Sequence, residues 1–302
     1  MRVVVALGGN ALLQRTERPG AGVQQHHVID AVAHLASLSV GHELVITHGN
    51  GPQVGLLALE SESDKTIDAP FPLDALVAET QGMIGYWLSQ ALRNRLSDRA
   101  CAALVTQTVV DADDPGFRSP TKFIGRDYDE ATAKQLAAQR GWSVKQDGPR
   151  WRRVVASPEP REIVELATIK ALVATNTIVV CAGGGGVPVL RDGNGSLGGV
   201  AAVIDKDLTT ALLANQLSAD LLVFLTDVEG VYRDFGLPHQ RLIARATPSE
   251  LRDLSLPLGS MGPKVEAACR FVEATGCRAA IGALDQVDAL VQGARGTSLI
   301  AS

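Results

Sequence analysis

Aromatic side chains are scarce in this chain, at 4% of 302 residues, so Ala, Val, Leu and Ile must build its core. Small aliphatic side chains suit buried parallel strands, which points to an α/β protein and away from an all-β one. Lysine is scarcer still, with seven (65, 122, 134, 145, 170, 206 and 264) beside 21 Arg. In so Arg-rich a chain, a Lys inside a Gly-rich motif marks a place where a compact ammonium group is needed. The net charge of -5 supplies no global basic field, so neither nucleic acid nor an anionic membrane is expected as a partner, and any phosphate site must be local. Cys101, Cys181, Cys269 and Cys277 show no C-x-x-C spacing and no nearby His pairs, which excludes a zinc site and a disulfide framework and fits reduced thiols in the cytoplasm. The first apolar run is cut short by Gly8-Gly9-Asn10 and reads as a buried strand, not a secretion signal. No run approaches the ~18 apolar residues of a membrane span. Two phosphate signatures are absent as well: without a Gly-Lys dipeptide there is no Walker A loop, and no His-Arg-Asp catalytic loop occurs.

What is present alternates between two periods. Residues 3–7, 43–47, 102–110, 177–182, 221–226 and 278–281 read as short β-branched strands. Helices are expected between them, as over 24–40, closed by Gly41, and 73–96, where Leu76, Met83, Ile84, Trp87, Leu88 and Leu92 recur at helical spacing. Repeated β-α alternation implies a mostly parallel sheet with helices on both faces and ligands beyond the carboxyl ends of its strands. Residues 111–160 break the rhythm with several Pro-containing turns and read as a subdomain inserted into a single domain of 1–302. Phe117, Phe123, Tyr128, Trp142 and Trp151 would give it a small core. No internal repeat or low-complexity segment is evident.

Four Gly-rich corners follow strands or open helices: Gly8-Gly9-Asn10, His48-Gly49-Asn50-Gly51-Pro52, Gly183 to Gly186, and Gly259-Ser260-Met261-Gly262-Pro263-Lys264. Glycine lets backbone N–H groups approach a phosphate, and a helix start adds partial positive charge. Any one corner could be a simple tight turn; four at strand ends suggest a shared polyanion. The G-x-G-x-x-G at Gly193, Gly195 and Gly198 is instead read as a hairpin turn between 187–190 and 200–203. Asp205-Lys206-Asp207 opens a helix running to about Leu217, where the two Asp could cap the helix, hold Lys206, or do both. Lys264 follows Pro263, which suits a first helical position. Lys122, in Pro120-Thr121-Lys122, could by itself be a solvated surface residue.

The motifs at 7–13 (LGGNALL), 47–55 (THGNGPQVG), 81–86 (QGMIGY), 120–122 (PTK) with Ile124-Gly125, 151–155 (WRRVV), 203–208 (VIDKDL) and 259–267 (GSMGPKVEA) closely resemble the carbamate kinases of the amino-acid kinase superfamily, in colinear order over nearly the whole chain. The resemblance implies a three-layer α/β/α sandwich around a mainly parallel sheet, with 111–160 as a small protruding lid. It also implies a cytoplasmic homodimer in which the N-terminal half is the acceptor side and 205–302 the nucleotide side. Lys122, Lys206 and Lys264 would contact the phosphoryl groups. Gly8, Gly9, Asn10, Gly49, Asn50 and Gly51 would surround the small acceptor, with Gly183 and Gly184 between it and the nucleotide. Thr226, Asp227, Val228, Tyr232 and Met261 would serve the nucleotide. One departure stands in the lid: Phe123, Arg126 and Asp127 replace the Pro, Pro and Phe usual around the lid lysine.

The implied reaction passes a phosphoryl group between carbamoyl phosphate and ADP, giving ATP and carbamate. Carbamate is already an anionic oxygen nucleophile, so alignment and charge neutralisation replace a strong general base. Asp205 or Asp207 would orient the lysines, and His48 would shape its loop without moving protons. Mg²⁺ would be held by the ATP or ADP phosphates, with no protein metal site. The lid departure leaves open another small carboxylate or carbamate-like acceptor, and a nucleotide-binding protein with a dead site is the third reading. Carbamoyl phosphate could come from arginine breakdown or from purine or allantoin catabolism.

Overall fold

The structure, a computed structural model, describes residues 1–13, 17, 20–254, 256 and 260–301, without the side chain of Asn10. Gly259, from the fourth Gly-rich corner, lies outside the described residues.

An eight-stranded sheet runs in the order Arg245–Ala246, Thr297–Leu299, Arg278–Ala283, Leu221–Thr226, Arg2–Leu7, Glu43–His48, Ile178–Val180, Cys101–Ala103. All neighbours are parallel except Thr297–Leu299 against Arg278–Ala283. Alternation along the central strands divides the core in two. Val3, Val5 and Leu7, with Leu221, Val223 and Leu225, meet helices Ala21–Leu38, Leu73–Arg95 and Val287–Gln292. Val4, Ala6, Leu222 and Phe224 meet helices Leu166–Ala174, Lys206–Gln216 and Met261–Thr275 on the other face. Because both faces are covered, these strands are apolar at every position from Val3 to Leu7 and from Leu221 to Leu225, as buried parallel strands require. The result is the three-layer α/β/α arrangement.

The expected strand over 102–110 is two strands in different sheets. Cys101–Ala103 ends the main sheet, while Gln107–Val109 joins a four-stranded sheet in the order Leu197–Gly199, Val187–Arg191, Gln107–Val109, Glu162–Ile163. The break lies where the Gln81 side chain replaces a strand neighbour: its Oε1 accepts the Thr106 N–H at 2.8 Å and its Nε2 donates to the Thr106 carbonyl at 3.1 Å. A long-range amide of this kind leaves no mark in the local β pattern. The hairpin reading of 192–195 holds, since Val187–Arg191 and Leu197–Gly199 pair antiparallel and Asp192 Oδ1 accepts the N–H groups of Asn194 and Ser196. Its second strand is earlier and shorter than the expected 200–203.

Segment 111–160 carries a short helix Pro115–Arg118, a helix Glu130–Arg140 and an antiparallel sheet in the order Lys122–Tyr128, Arg150–Val155, Ser143–Asp147. Tyr128, Trp142 and Trp151 join one small cluster with Ala133, Leu136 and Val144; Phe117 and Phe123 stand outside it. At its root, the buried carboxylate of Asp114 accepts Gly116 N–H at 2.7 Å and Glu159 N–H at 3.0 Å. One side chain thereby ties the chain entering the segment to the chain leaving it.

Phe224 is fully buried in the middle of the central strand pair. Phe224→Ala is expected to lower stability by about 3–5 kcal/mol, read by urea unfolding; a change below ~1 kcal/mol would contradict this account of the core.

Candidate active site

The strands Leu221–Thr226, Arg2–Leu7, Glu43–His48 and Ile178–Val180 are consecutive in the sheet and parallel, so their carboxyl ends open side by side. The loops continue the ladder one step: Gly8 N–H donates to the Leu225 carbonyl and Gly49 N–H to the Leu7 carbonyl, both at 3.1 Å. There the first two Gly corners touch, since a Cβ on Gly49 would stand 2.9 Å from Gly9 N. The third corner enters from the other side. Gly184 has φ +63°, and a Cβ on it would collide with the Asn50 side chain, so only glycine fits. Gly8, Gly9, Gly49, Asn50, Gly183 and Gly184 therefore meet, with Gly51 opening the helix Gly51–Ser63. The backbone of Asn10 follows Gly9 in a short 3-10 turn.

Buried polar side chains that the sequence did not single out hold these loops. Thr108 and Thr209 Oγ1 both donate to the Gly185 carbonyl, at 2.9 and 3.0 Å. Thr106 Oγ1 accepts the N–H of Ala182, a non-glycine residue held at φ +50°. Asn50 Nδ2 donates to Thr80 Oγ1 at 2.8 Å. Thr47 and Thr210 hydroxyls bond at 2.7 Å, and Thr210 Oγ1 donates to the Lys206 carbonyl, joining the His48 strand to the Lys206 helix. A weak signal was available: Thr47, Gln81, Thr209 and Thr210 fall in or beside the quoted motifs at positions otherwise apolar. Burial, opposed in part by a hydrogen bond to the Gly49 carbonyl, lowers His48 to about 4, with Lys206 adding to the fall. A neutral His48 donating from Nδ1 to Gly49 shapes its loop.

The charged centre lies where the helices Lys206–Gln216 and Met261–Thr275 begin. Asp205 caps the first helix, its Oδ1 accepting the N–H groups of Asp207 and Leu208 at 2.9 and 3.2 Å. Its Oδ2 accepts a hydrogen bond from Lys122 Nζ at 2.7 Å. Asp205 thus holds Lys122 rather than Lys206, and this contact brings Lys122, partly exposed, to the edge of the charged cluster. Asp207 takes the other two: Oδ1 is 2.7 Å from Lys206 Nζ and Oδ2 accepts from Lys264 Nζ at 3.1 Å. Lys206 and Asp207 are 7% and 5% exposed. Among the described residues their 2.7 Å contact is the one ion pair of the Lys206 ammonium, which has three N–H groups.

Burial by itself raises the Asp207 carboxyl, but Lys206 and Lys264, with Lys122 farther off, outweigh it and hold the group below the usual carboxylate range. Burial also lowers Lys206, in part offset by Asp207, and Lys264 lowers it further. For Lys264 the lowering by burial is overcome by Asp207, Asp205 and Asp227, so it stays charged.

The helix with Lys264 begins at Met261, which puts Pro263 third rather than first. Proline is still harmless there, because the first four N–H groups of a helix have no partner within it. Thr226, Asp227 and Val228 leave the strand Leu221–Thr226 towards this helix, with Thr226 Oγ1 donating to Asp227 at 3.0 Å. Tyr232 opens the next short strand, Tyr232–Arg233, which pairs antiparallel with Arg241–Leu242; its hydroxyl donates to Glu229 at 3.0 Å and its ring centroid is 5.8 Å from that of Phe235. Among the described residues no three His, Cys, Asp or Glu side chains gather as a metal set.

Asp207→Asn leaves two buried ammonium groups facing each other and is expected to destabilise the fold by about 3–5 kcal/mol at pH 7. Because the folded carboxyl lies below its unfolded value, its contribution is present above about pH 4 and fades as pH falls through the folded value. Unfolding free energies from pH 7 to about 2 should therefore converge for the two proteins; parallel curves would refute this.

The amino acid kinase family pattern matches residues 1–283. A carbamate kinase of Rhizobium meliloti (strain 1021) is 52% identical, with 100% of this chain and 94% of that protein aligned. One of Haemophilus influenzae is 47% identical, over 99% and 96% of the two chains. Among solved structures, carbamate kinase from Giardia lamblia bound to citric acid superimposes with a TM-score of 0.94 at 40% identity, covering 100% of this chain and 98% of that one. The same enzyme bound to AMP-PNP gives 0.89 at 41%, with the same coverage. The chain belongs to the carbamate kinases of the amino acid kinase family and is a phosphotransferase.

Proposed function

We propose that this enzyme passes the phosphoryl group of carbamoyl phosphate to ADP, reversibly. The supporting observation is the lysine cluster: Lys122, Lys206 and Lys264 converge on Asp205 and Asp207 at the starts of two helices, with Lys206 buried, an arrangement that suits an anion. The bond from phosphorus to the carbamate oxygen breaks, a bond to the terminal phosphate oxygen of ADP forms, and carbamate leaves as an anion needing no proton. In solution it then takes up a proton and decomposes to ammonia and CO2. In reverse, the carbamate oxygen attacks the terminal phosphoryl group of ATP. Lys206 and Lys264 bracket the group in transit, and Lys122 reaches it from segment 111–160, acting as a lid. Asp205 and Asp207 keep the three ammonium groups from scattering.

The acceptor is taken by Gly8, Gly9, Asn10, Gly49, Asn50 and Gly51, with Gly183 and Gly184 beside it. The nucleotide lies over 205–302, against Thr226, Asp227, Val228, Tyr232 and Met261. Mg²⁺ fits as a companion of the nucleotide, since Asp205 and Asp207 are already engaged by lysines. When bound, it neutralises charge on the phosphate chain. The three unusual lid residues are absorbed within the lid: Arg152 lies over Phe123, Arg126 over Tyr128, and Arg150 pairs with Asp127. A homodimer and a cytoplasmic location are part of the same proposal, with carbamoyl phosphate supplied by arginine breakdown or by purine or allantoin catabolism. Among the described residues no helix is long and apolar enough to cross a membrane.

Pure protein with carbamoyl phosphate and Mg-ADP should form ATP with no other acceptor present. Lys206→Ala or Lys264→Ala should lower kcat by about two to four orders of magnitude, the scale of removing a key electrostatic stabiliser. A loss under about threefold would overturn the assignment. Lys122→Ala should lower kcat while leaving the KM for ADP nearly unchanged; an effect confined to ADP affinity would remove Lys122 from the lid role.

A further inference from the structure

The helix Gly51–Ser63 starts at the acceptor loop and turns one face to the segment that carries Lys122. Gly51, Gly55, Leu59 and Glu62 lie on that face, at the three- and four-residue spacing of one helical stripe. Each meets the segment. A Cβ on Gly51 would stand 3.8 Å from the Phe123 carbonyl oxygen, and one on Gly55 would fall on the N and Cα of Gly125. Leu59 packs into the cluster around Tyr128 and Trp142. Glu62 accepts hydrogen bonds from Arg140 Nη1 at 2.9 Å, Arg153 Nη1 at 2.8 Å and Trp142 Nε1 at 3.3 Å.

At Gly55 the contact is backbone on backbone. Gly125 has φ +68° and sits where the pairing of Lys122–Tyr128 with Arg150–Val155 slips between Ile124 and Asp127. Its carbonyl accepts from Arg152 Nη2 at 2.9 Å, which fixes the peptide that faces Gly55. Buried Ile124, next to it, packs with Val54 and Ala58 of the same helix. Lys122 is three residues away on this strand, and its 2.7 Å bond to Asp205 leaves no slack.

We propose that Gly55 and Gly125 form the seat of the lid, and that Gly55 is a positioning residue that sets the reach of Lys122. This rests on the Lys122 role given under Proposed function. The acceptor loop begins the same helix, so the seat locks the acceptor and the lid lysine to one rigid element. A methyl group at Gly55 forces the strand back by roughly an ångström, a displacement that moves Lys122 off the transferring group.

The test is a double-mutant cycle of Gly55→Ala with Lys122→Ala, read as ATP formation from carbamoyl phosphate and Mg-ADP, together with amide hydrogen exchange over residues 122–128. Gly55→Ala is expected to lower kcat by about 10- to 100-fold with the KM for ADP changed less than about twofold. In the Lys122→Ala background it should add less than about twofold, because its route to the reaction is gone. Equal losses in both backgrounds, or an unchanged kcat, would overturn the proposal. Should Gly55→Ala not fold, Glu62→Gln loosens the far end of the seat without filling it, and its smaller kcat loss must also vanish with Lys122→Ala. Exchange over 122–128 should rise in either variant; no rise overturns the seat. That arm needs no turnover, so wild-type protein that makes no ATP would defeat the proposed reaction and leave the seat standing on exchange alone.

Discussion

The arrangement of the site depends on one carboxylate between two ammonium groups. Asp207 is nearly inaccessible to water, as is Lys206, and burial of either alone would be strongly unfavourable. Together with Lys264 they form a cluster in which each charge makes the others tolerable, and the pKa directions agree: Asp207 is held down and Lys264 up. Lys206 is the exception, lowered because burial outweighs what Asp207 restores. Among the described residues, Asp207 at 2.7 Å is its one ion-pair partner.

Such a cluster needs backbones that do not yield. The sheet supplies the first level, placing four strand ends in a row. Hydroxyls and amides supply the second. Thr47, Thr106, Thr108, Thr209 and Thr210, with Gln81, tie the Gly-rich loops to the helices on either face. Buried hydrogen bonds of this type contribute only about 1 kcal/mol each, but leaving a partner unmade is worse, so the set acts as a register for the loops.

Segment 111–160 is held in two separate places. Asp114 closes its root with bonds to both connecting chains. The helix Gly51–Ser63 receives its body along the stripe from Gly51 to Glu62. An exposed pair, Arg270 with Glu159 at 2.7 Å, also links the root to the helix that carries Lys264. Exposed pairs contribute little, so the buried carboxylate and the glycine contact dominate.

Much of this was legible in one dimension, because it arises from local rules. Alternating and helical periods marked the central strands and flanking helices, Asp205 announced a helix cap, and Asp192 to Gly195 announced a hairpin. The Gly-rich corners located the strand ends that would face a ligand. What the chain order hid are partnerships across distance. Gln81 splits an apparent strand at Thr106, 25 residues on. Lys122 finds Asp205 across 83 residues. The division of labour between Asp205 and Asp207 follows from which lysine each carboxylate reaches, and side-chain reach is set by packing. Local propensity and period decided which elements exist and where their charged ends lie. Only the tertiary structure decided which of those ends meet, because close approach of Gly55 to Gly125, or of a lysine to an aspartate, is a property of the folded core and has no local sequence signature.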